Sequence, residues 1–381
     1  MRICLISTEI FAWDKYGGFG RATRLIGREL ATRGHTVFAV VPRRSGQGAV
    51  EQLDGITVLG FDPWRPWAAT PLLRECDAQI YHSCEPSFGT YLAMRAMPDR
   101  RHLVTFRDPR DFRDWRMEFE LPSLNQWQVF HNYCYESNWL VRRSIRQMDA
   151  VYTIGRYLIP KVRAMYGLSY DPEFLPTPVA IPERVQKAEQ PTVCYVARLD
   201  RRKRPTLFLD LARRFPHVKF IAMGKSRDPK WDASLRTAYA NIPNLEMTGF
   251  VDQFSTDEHS RILGQSWVMV NTATREALPN AFLEAAAHRC AILSGVDPDG
   301  FASRFGYHVP DGDFANGLAS LLECDRWRDR GERAAEHVRD VFQVERAMRE
   351  HVKAYERALS SPPARRGGRS VRCLMPDPGV S

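Results

Sequence analysis

The sequence predicts two α/β domains, each built on a parallel sheet, with an irregular linker between them. Buried apolar strands alternate with amphipathic helices along the chain, which is typical of parallel sheets covered by helices. A proline-rich, aperiodic stretch over residues 173–192 interrupts this pattern, which then restarts. The length of 381 residues also exceeds what one ordinary core accommodates. We therefore expect a ligand cleft where the two domains meet.

The amino-terminal half opens with a strand, a glycine loop, a helix and a second strand. Residues 2–8 are mostly apolar, a glycine-rich run at 17–20 follows, and residues 21–33 show helical spacing before a strand at 36–41. This order implies a right-handed crossover. The glycines fit a tight turn as well as a close approach of the backbone to a phosphate or sugar. They do not fit the dinucleotide fingerprint, because Thr23 stands where its last glycine or alanine belongs.

A charged run at residues 107–115 follows a strand predicted at 102–106. Open α/β sheets bind ligands at the carboxyl ends of their strands, so the position favours a functional role. Alternating charges are more often a solvated surface, and both interpretations stay open. Further strands of this half are predicted at 56–61, 78–82 and 148–152, with a helix at 158–166.

The second half repeats the pattern and ends in helices. We place the first domain at residues 1–178, the second at 179–345, a helix returning to the first domain at 346–360, and a disordered tail at 361–381. In the second half, strands are predicted at 193–197, 218–223, 245–247, 268–271 and 291–294, and helices at 207–214, 260–263, 315–322, 326–341 and 346–359.

The segment at residues 275–287 carries the strongest chemical signal. It begins as a polar loop, passes through Pro279 and becomes an alanine-rich helix that contains Glu284. Glu276 stands just before that helix, whose N-terminal amides are a ready anion site. A carboxylate among alanines is costly to bury unless something hydrogen-bonds it. A phosphate-bearing, hydroxyl-rich ligand suits both features.

A basic run at residues 198–204 follows the strand predicted at 193–197. Arginine guanidinium and lysine ammonium groups at the end of a strand can bind the oxygens of a diphosphate. Alone, such a run is more often an exposed basic loop. Its position upstream of the 275–287 segment favours binding.

Composition excludes several classes of protein. The net charge of +9 suits anionic partners, but the aromatic residues are not interleaved with a basic stripe, so nucleic acid is not the expected partner. No apolar run approaches ~20 residues, and the first residues do not resemble a secretory signal. Reduced thiols and a cytoplasmic location are expected, because eight cysteines are scattered singly: Cys4, Cys76, Cys84, Cys134, Cys194, Cys290, Cys324 and Cys373.

The sequence resembles the retaining GT-B glycosyltransferases of glycosyltransferase family 4. The similarity lies in the glycine loop with Arg33-Gly34-His35, the run from Tyr195 to Lys203, Gly249-Phe250-Val251, and the two-glutamate signature from Glu276 to Glu284. It covers most of the chain and implies two Rossmann-like domains facing each other across a cleft. It also implies a hexosyltransferase-type enzyme that moves a sugar from a UDP- or GDP-linked donor to a glycan or lipid-linked acceptor.

The resemblance also implies roles for individual residues. Arg198 and Lys203 would neutralise the donor diphosphate and its leaving charge. Glu276 would contact hydroxyls of the donor sugar, and Glu284 would hydrogen-bond the ribose. No metal or other cofactor is implied, because cationic side chains and the helix dipole replace a divalent ion. Further donor contacts would come from the backbone of Gly17, Gly18, Ala277 and Leu278.

The sequence departs from the family pattern on the acceptor side. The family often has a histidine after a middle strand, where this chain has Arg107 and Asp108. Arg107 cannot act as a base, so either Asp108 or His82 fills part of that role or no base is needed. After the second glutamate, residues 288–291 replace the small residue, glycine and proline that are usual there. Asp297-Pro298-Asp299 imitates a metal-binding motif, but we interpret it as a turn.

Two further questions stay open at this stage. A non-catalytic protein that binds nucleotide sugars or glycans on the same scaffold is the alternative to an enzyme. Residues 139–146 form either a basic amphipathic helix for an anionic membrane or a helix that packs Leu140 and Ile145 into the core. Nothing in the sequence addresses the oligomeric state.

Overall fold

The computed structural model describes residues 1–14 and 16–362. The tail predicted from residue 361 and the eighth cysteine, Cys373, therefore lie almost wholly outside the described residues. The other seven cysteines are free thiols.

The amino-terminal domain is an eight-stranded sheet in the order β3-β4-β2-β1-β5-β6-β7-β8, parallel except for β3 against β4. Its strands are β1 (Arg2–Ile6), β2 (Thr36–Pro42), β3 (Val50–Leu53), β4 (Ile56–Phe61), β5 (Ile80–Ser83), β6 (Arg101–Phe106), β7 (Ala150–Thr153) and β8 (Glu173–Phe174). Its helices are α1 (Gly18–Thr32), α2 (Ala69–Cys76), α3 (Phe88–Ala96), α4 (Phe112–Glu120), α5 (Gln126–Glu136), α6 (Trp139–Ile145) and α7 (Leu158–Tyr166).

The carboxy-terminal domain is a six-stranded parallel sheet in the order β11-β10-β9-β12-β13-β14. Its strands are β9 (Thr192–Val196), β10 (Lys219–Met223), β11 (Leu245–Gly249), β12 (Val268–Asn271), β13 (Ala291–Ser294) and β14 (Gly306–His308). The helices are α8 (Pro205–Arg214), α9 (Pro229–Tyr239), α10 (Glu258–Gln265), α11 (Asn280–Ala287), α12 (Phe301–Phe305), α13 (Phe314–Leu322), α14 (Arg326–Val341) and α15 (Val344–Ser360).

Both faces of the first sheet are buried, as the apolar sequence of its strands predicts. On β1, Ile3 and Leu5 face a core shared with α1, whereas Cys4 and Ile6 face a core shared with α2 and α3. Alternate side chains of a strand point to opposite faces, so one strand supplies two cores. The two α/β domains predicted from the sequence are confirmed.

The chain crosses between the domains twice, and the two crossings lie side by side. Val179 N donates to Phe342 O (2.8 Å), and Val344 N donates to Val179 O (3.1 Å). After the second crossing, α15 packs against the first sheet, where Met348 and Tyr355 join the core of Ile3. The last helix therefore belongs physically to the amino-terminal domain.

Several local predictions are corrected by the structure. The glycine run at 17–20 is not a separate loop, because Gly17 is the N-cap and α1 starts at Gly18. The charged run at 107–115 becomes helical from Phe112, since the Asp111 carboxylate accepts the amide hydrogens of the first turn of α4. Strand β14 and helix α9, among others, had no clear periodicity and were not predicted.

Helix α6 covers most of residues 139–146, whose role the sequence left open. Ile145 is buried in the core as expected, whereas Leu140 is only half-buried, and Val141 fills the core instead. Arg142 and Arg143 are exposed, and Arg142 Nη2 donates to Met165 O (2.5 Å). Among the described residues, no helix is both long and apolar enough to cross a membrane.

Replacing Tyr355 by phenylalanine should destabilise the amino-terminal domain by about 1–3 kcal/mol. The buried Tyr355 hydroxyl lies 2.8 Å from His82 Nδ1, and its loss leaves that nitrogen without its partner on α15. Urea unfolding measures the effect. Tyr307→Phe is the control, because Tyr307 is exposed on β14. Equal unfolding midpoints for the two variants would show that the bond between α15 and the sheet contributes nothing.

Candidate active site

A cleft of about 930 Å³ separates the carboxyl ends of the two sheets and is lined by both domains. The N-termini of α1 and α11 face each other across it, and Asn280 Nδ2 donates to Gly18 O (2.9 Å). Two helix N-termini of opposite domains thus point their amides toward one space. This arrangement favours a bound anion.

The glycines at the start of α1 are required by a buried carboxylate beneath them. Gly20 N donates to Glu9 Oε1 (3.0 Å), and a Cβ atom at Gly17 would come within 1.9 Å of that same oxygen. A Cβ atom at Gly20 would meet the backbone of Ile10 and Phe11 at 2.8 Å. Sequence analysis missed Glu9, although its position just after β1 is the kind that open α/β sheets use for ligands.

Glu284 lies about one turn inside α11, four residues after its first residue Asn280, and contacts the other domain. Arg21 Nη2 on α1 donates to its carboxylate at 2.6 Å, and His259 Nε2 lies 3.6 Å away. Burial raises the pKa of Glu284 to about 7, and the charge of Arg21 opposes that rise. The carboxylate predicted to bind ribose is therefore held by an arginine that the sequence did not single out.

Arg198, Lys203 and Glu276 come together at one end of the cleft. Arg198 follows β9, and its Nη1 has no hydrogen-bond partner within the described part of the chain. Lys203 ends the short turn Arg201–Lys203 and donates to the Glu276 carboxylate. Burial lowers the pKa of Lys203. The two cations predicted to bind a diphosphate and the glutamate predicted to bind the sugar thus share one site.

A third cation, Arg227, adjoins this group. It lies on the loop after β10, and burial together with Arg198 lowers its pKa to about 10. Gly224 starts that loop with φ of +143°, where a Cβ atom would lie 2.0 Å from Ala197 O. The glycine therefore lets the loops after β9 and β10 pack together. The basic residues that follow Gly224 were the available sequence signal for Arg227.

Arg275 joins the loop before Glu276 to the amino-terminal domain through ion pairs. Its Nη2 contacts Asp108 Oδ1 at 2.5 Å, and its Nε contacts Asp114 Oδ1 at 2.7 Å. Arg110 also lies 3.2 Å from the Asp108 carboxylate, and these cations lower the pKa of Asp108. Nearby, Arg202 forms an ion pair with Glu118 across the same boundary.

Of the three acceptor-side candidates, Asp108 and Arg107 line the cleft and His82 does not. Asp108 is a poor candidate for the base, because its arginine partners hold it ionised. Arg107 donates from Nη1 to Thr177 Oγ1 (3.1 Å) and is 3% exposed. His82 is fully buried between Tyr355 and Thr105 Oγ1, the latter at 2.7 Å.

The two remaining departures from the family pattern are structural features. Arg289 adopts a left-handed conformation (φ +58°) after α11, so the turn is kept without a glycine at a cost of about 1–2 kcal/mol. Asp297 Oδ1 accepts from Ala302 N (2.7 Å), and Asp299 accepts from Arg156 N and Tyr157 N. The 297–299 motif is therefore a turn with capping carboxylates. Across residues 1–14 and 16–362, no three His, Cys, Asp or Glu side chains cluster in a way that could hold a metal ion.

Two facing parallel-sheet domains with an anion-binding cleft are the architecture of GT-B glycosyltransferases. The family profile for Glycosyltransferase Family 4 matches residues 16–180, and the profile for Glycosyl transferases group 1 matches residues 180–338. The chain belongs to this family and is a glycosyltransferase.

Solved structures confirm the fold. Sucrose-phosphate synthase from Thermosynechococcus elongatus superposes with a TM-score of 0.71 at 15% identity over 93% of this chain and 98% of that one. HepE from Anabaena in complex with UDP and glucose gives 0.70 at 11% identity over 93% and 99%. WaaG, a glycosyltransferase involved in lipopolysaccharide biosynthesis, gives 0.65 at 14% identity over 94% and 100%. A sequence search of curated proteins gave no significant match.

Replacing Arg275 by alanine should loosen the contact between the domains. It removes one cation from each of two carboxylates, and breaking a buried ion pair typically costs about 3–5 kcal/mol. Asp108 keeps Arg110 and Asp114 keeps Lys161, so we expect a loss at or below the lower end of that range. We expect a lower melting temperature and a larger radius of gyration by small-angle scattering. Arg275→Lys should show a smaller change, because it keeps the charge and loses the fork.

The matched control for this experiment is Arg163→Ala. Arg163 pairs with Asp171 at 3.1 Å, but both side chains are more than half exposed. Exposed pairs contribute about 0–1 kcal/mol. If the two alanine variants behave alike, Arg275 does not hold the domains together.

Proposed function

We propose that the protein is a retaining, metal-independent glycosyltransferase that uses a UDP- or GDP-linked sugar. The convergence of Arg198, Lys203 and Glu276 at the N-terminus of α11 carries this proposal. A diphosphate needs cations and amide donors, and a hexose needs a carboxylate that accepts its hydroxyl hydrogens. All three kinds of group face one space. The complexes of HepE with UDP and with UDP-glucose support this class of donor.

In the proposed reaction, the bond from the sugar C1 to the diphosphate oxygen breaks and a bond from C1 to the acceptor oxygen forms on the same face. The acceptor proton passes to the departing phosphate oxygen. Arg198 and Lys203 stabilise the negative charge that develops there, which preorganised cations do without reorganisation. Glu276 orients the sugar, and Glu284 accepts from the ribose once Arg21 yields one of its contacts.

The amides of Ala277 and Leu278 belong to the same proposal. Both residues line the cleft just before α11 begins at Asn280. Their position suits contact with the sugar or the phosphate. Gly17 and Gly18 would approach the diphosphate from the other domain. The acceptor is a hydroxyl of a glycan or a lipid-linked molecule, in polysaccharide or glycoconjugate synthesis on the cytoplasmic side.

A panel of nucleotide sugars tests the proposal in the presence of a chelator. We expect one UDP- or GDP-linked sugar to raise the melting temperature and to be slowly hydrolysed or transferred with EDTA present, because ligands of the folded state stabilise it. A strict requirement for a divalent ion would contradict metal independence. Stabilisation without turnover over a broad acceptor panel would instead identify a non-catalytic binding protein.

Substitutions at Glu276 and Arg198 should separate chemistry from binding. Glu276→Gln should lower kcat by about 10²–10³-fold with a small change in nucleotide affinity, whereas Arg198→Ala should weaken nucleotide binding as well as turnover. Isothermal calorimetry and initial rates give the two quantities. Glu246→Gln is the control. Glu246 lies on β11, and its carboxylate forms only a partly exposed ion pair with Lys219 on β10. Equal loss of affinity in both site variants would contradict these roles.

A further inference from the structure

Helix α5 turns polar side chains toward the protein and aromatic side chains toward solvent, which is the reverse of an ordinary surface helix. Its residues Gln128 and Asn132 line the polar cleft, while Trp127 and Phe130 point to solvent at 78% and 49% exposure. Val129 is its only buried residue. A surface helix normally turns its apolar stripe inward. The described part of the chain therefore leaves the outward aromatic side of α5 largely uncovered.

The same side of the domain exposes further aromatic residues. Trp64 packs its ring against His131 of α5 at a centroid distance of 5.7 Å, and α4 packs against α5 through Trp115 and Tyr133 at 5.5 Å. We define the aromatic surface as the six exposed side chains Trp64, Phe112, Phe119, Trp127, Phe130 and Trp139. Exposed apolar patches of this kind mark interaction sites.

Tryptophan content and charge point to a lipid surface. Of the nine tryptophans, four are more than half exposed, and all four lie in residues 64–139: Trp64, Trp67, Trp127 and Trp139. Exposed arginines flank the aromatic surface at Arg65, Arg113, Arg116 and Arg143. One exposed acid, Glu120, lies 3.6 Å from Arg116. Indole rings favour the membrane interface, and arginines bind anionic headgroups.

The aromatic surface is continuous with the cleft through α5, since one side of this helix lines the cleft and the other carries the aromatic rings. An acceptor with a polar end and a hydrocarbon tail would place its polar end beside Asn132. Its tail would remain in a bilayer that contacts Trp127.

We propose that the aromatic surface seats the amino-terminal domain on an anionic bilayer and that the acceptor is a lipid-linked molecule drawn from it. The identity of the acceptor rests on the proposed glycosyl transfer, whereas the membrane contact does not. Membrane contact thus belongs to α4, α5 and the Trp64 loop, and α6 contributes only Trp139 and Arg143.

Vesicle co-sedimentation with the full chain tests the proposal. Phosphatidylcholine vesicles that contain phosphatidylglycerol should bind the protein more strongly than pure phosphatidylcholine vesicles. Trp127→Ser combined with Phe130→Ser should lower the partition coefficient by about tenfold or more, because two large apolar side chains lose their burial in the interface. Trp127→Phe should keep most of the binding. Tyr307→Ser is the matched control, since Tyr307 is an exposed aromatic residue on the carboxy-terminal domain.

Three outcomes overturn the proposal: no binding to either vesicle, binding that the double substitution leaves unchanged, or a dimer in solution that the double substitution dissociates. The last would identify a second copy of the chain as the occupant. Thermal stabilisation by a nucleotide sugar is measured on the same variants and should stay unchanged. If the protein binds vesicles but turns over no nucleotide sugar, the proposed membrane contact stands and only the proposed function is refuted.

Discussion

The structure depends on how oppositely charged side chains pair across the boundary between the domains. Arg275 contacts Asp108 and Asp114, and Arg21 contacts Glu284, so cations and carboxylates of different domains, each less than one-fifth exposed, neutralise one another. A charge buried there without a partner would cost several kcal/mol. The relative position of the two sheets therefore follows from pairing as much as from apolar packing.

These pairs involve the groups that a donor would need. Lys203 is bound to Glu276, and Glu284 is bound to Arg21, while Arg198 Nη1 makes no hydrogen bond but lies 3.3 Å from the Asp200 carboxylate. In the proposed function, an incoming diphosphate would add negative charge beside Arg198 and compete for Lys203, which would free the Glu276 carboxylate for a sugar. The two crossings joined at Val179 give the domains a narrow connection, so such an exchange of partners can accompany a change in their separation.

Sequence reasoning succeeded where local chemistry decides and failed where contacts are distant in the chain. The repeated strands were predictable, and so was the position of Arg198, Lys203 and Glu276 at one cleft, because periodicity and position relative to a strand end are local properties. The ion pair of Arg21 with Glu284 joins residues 263 positions apart, and no sequence pattern in either segment predicts it. His82 was the last residue of a predicted strand, yet α15, from the far end of the chain, covers it.

The loop after β6 carries Arg107 and Asp108 where the resemblance to the family led us to expect a histidine. The Glu85 carboxylate accepts from the amides of Arg107 (2.7 Å) and Asp108 (3.2 Å), and burial raises its pKa to about 8. This contact fixes the loop after β6, and Asp108 then aligns Arg275 next to Glu276. A loop that carries an arginine and a salt-bridged aspartate supplies position and charge, not a proton acceptor. If the chain catalyses the proposed transfer, neither residue of this loop takes the acceptor proton, which agrees with its passage to the departing phosphate oxygen.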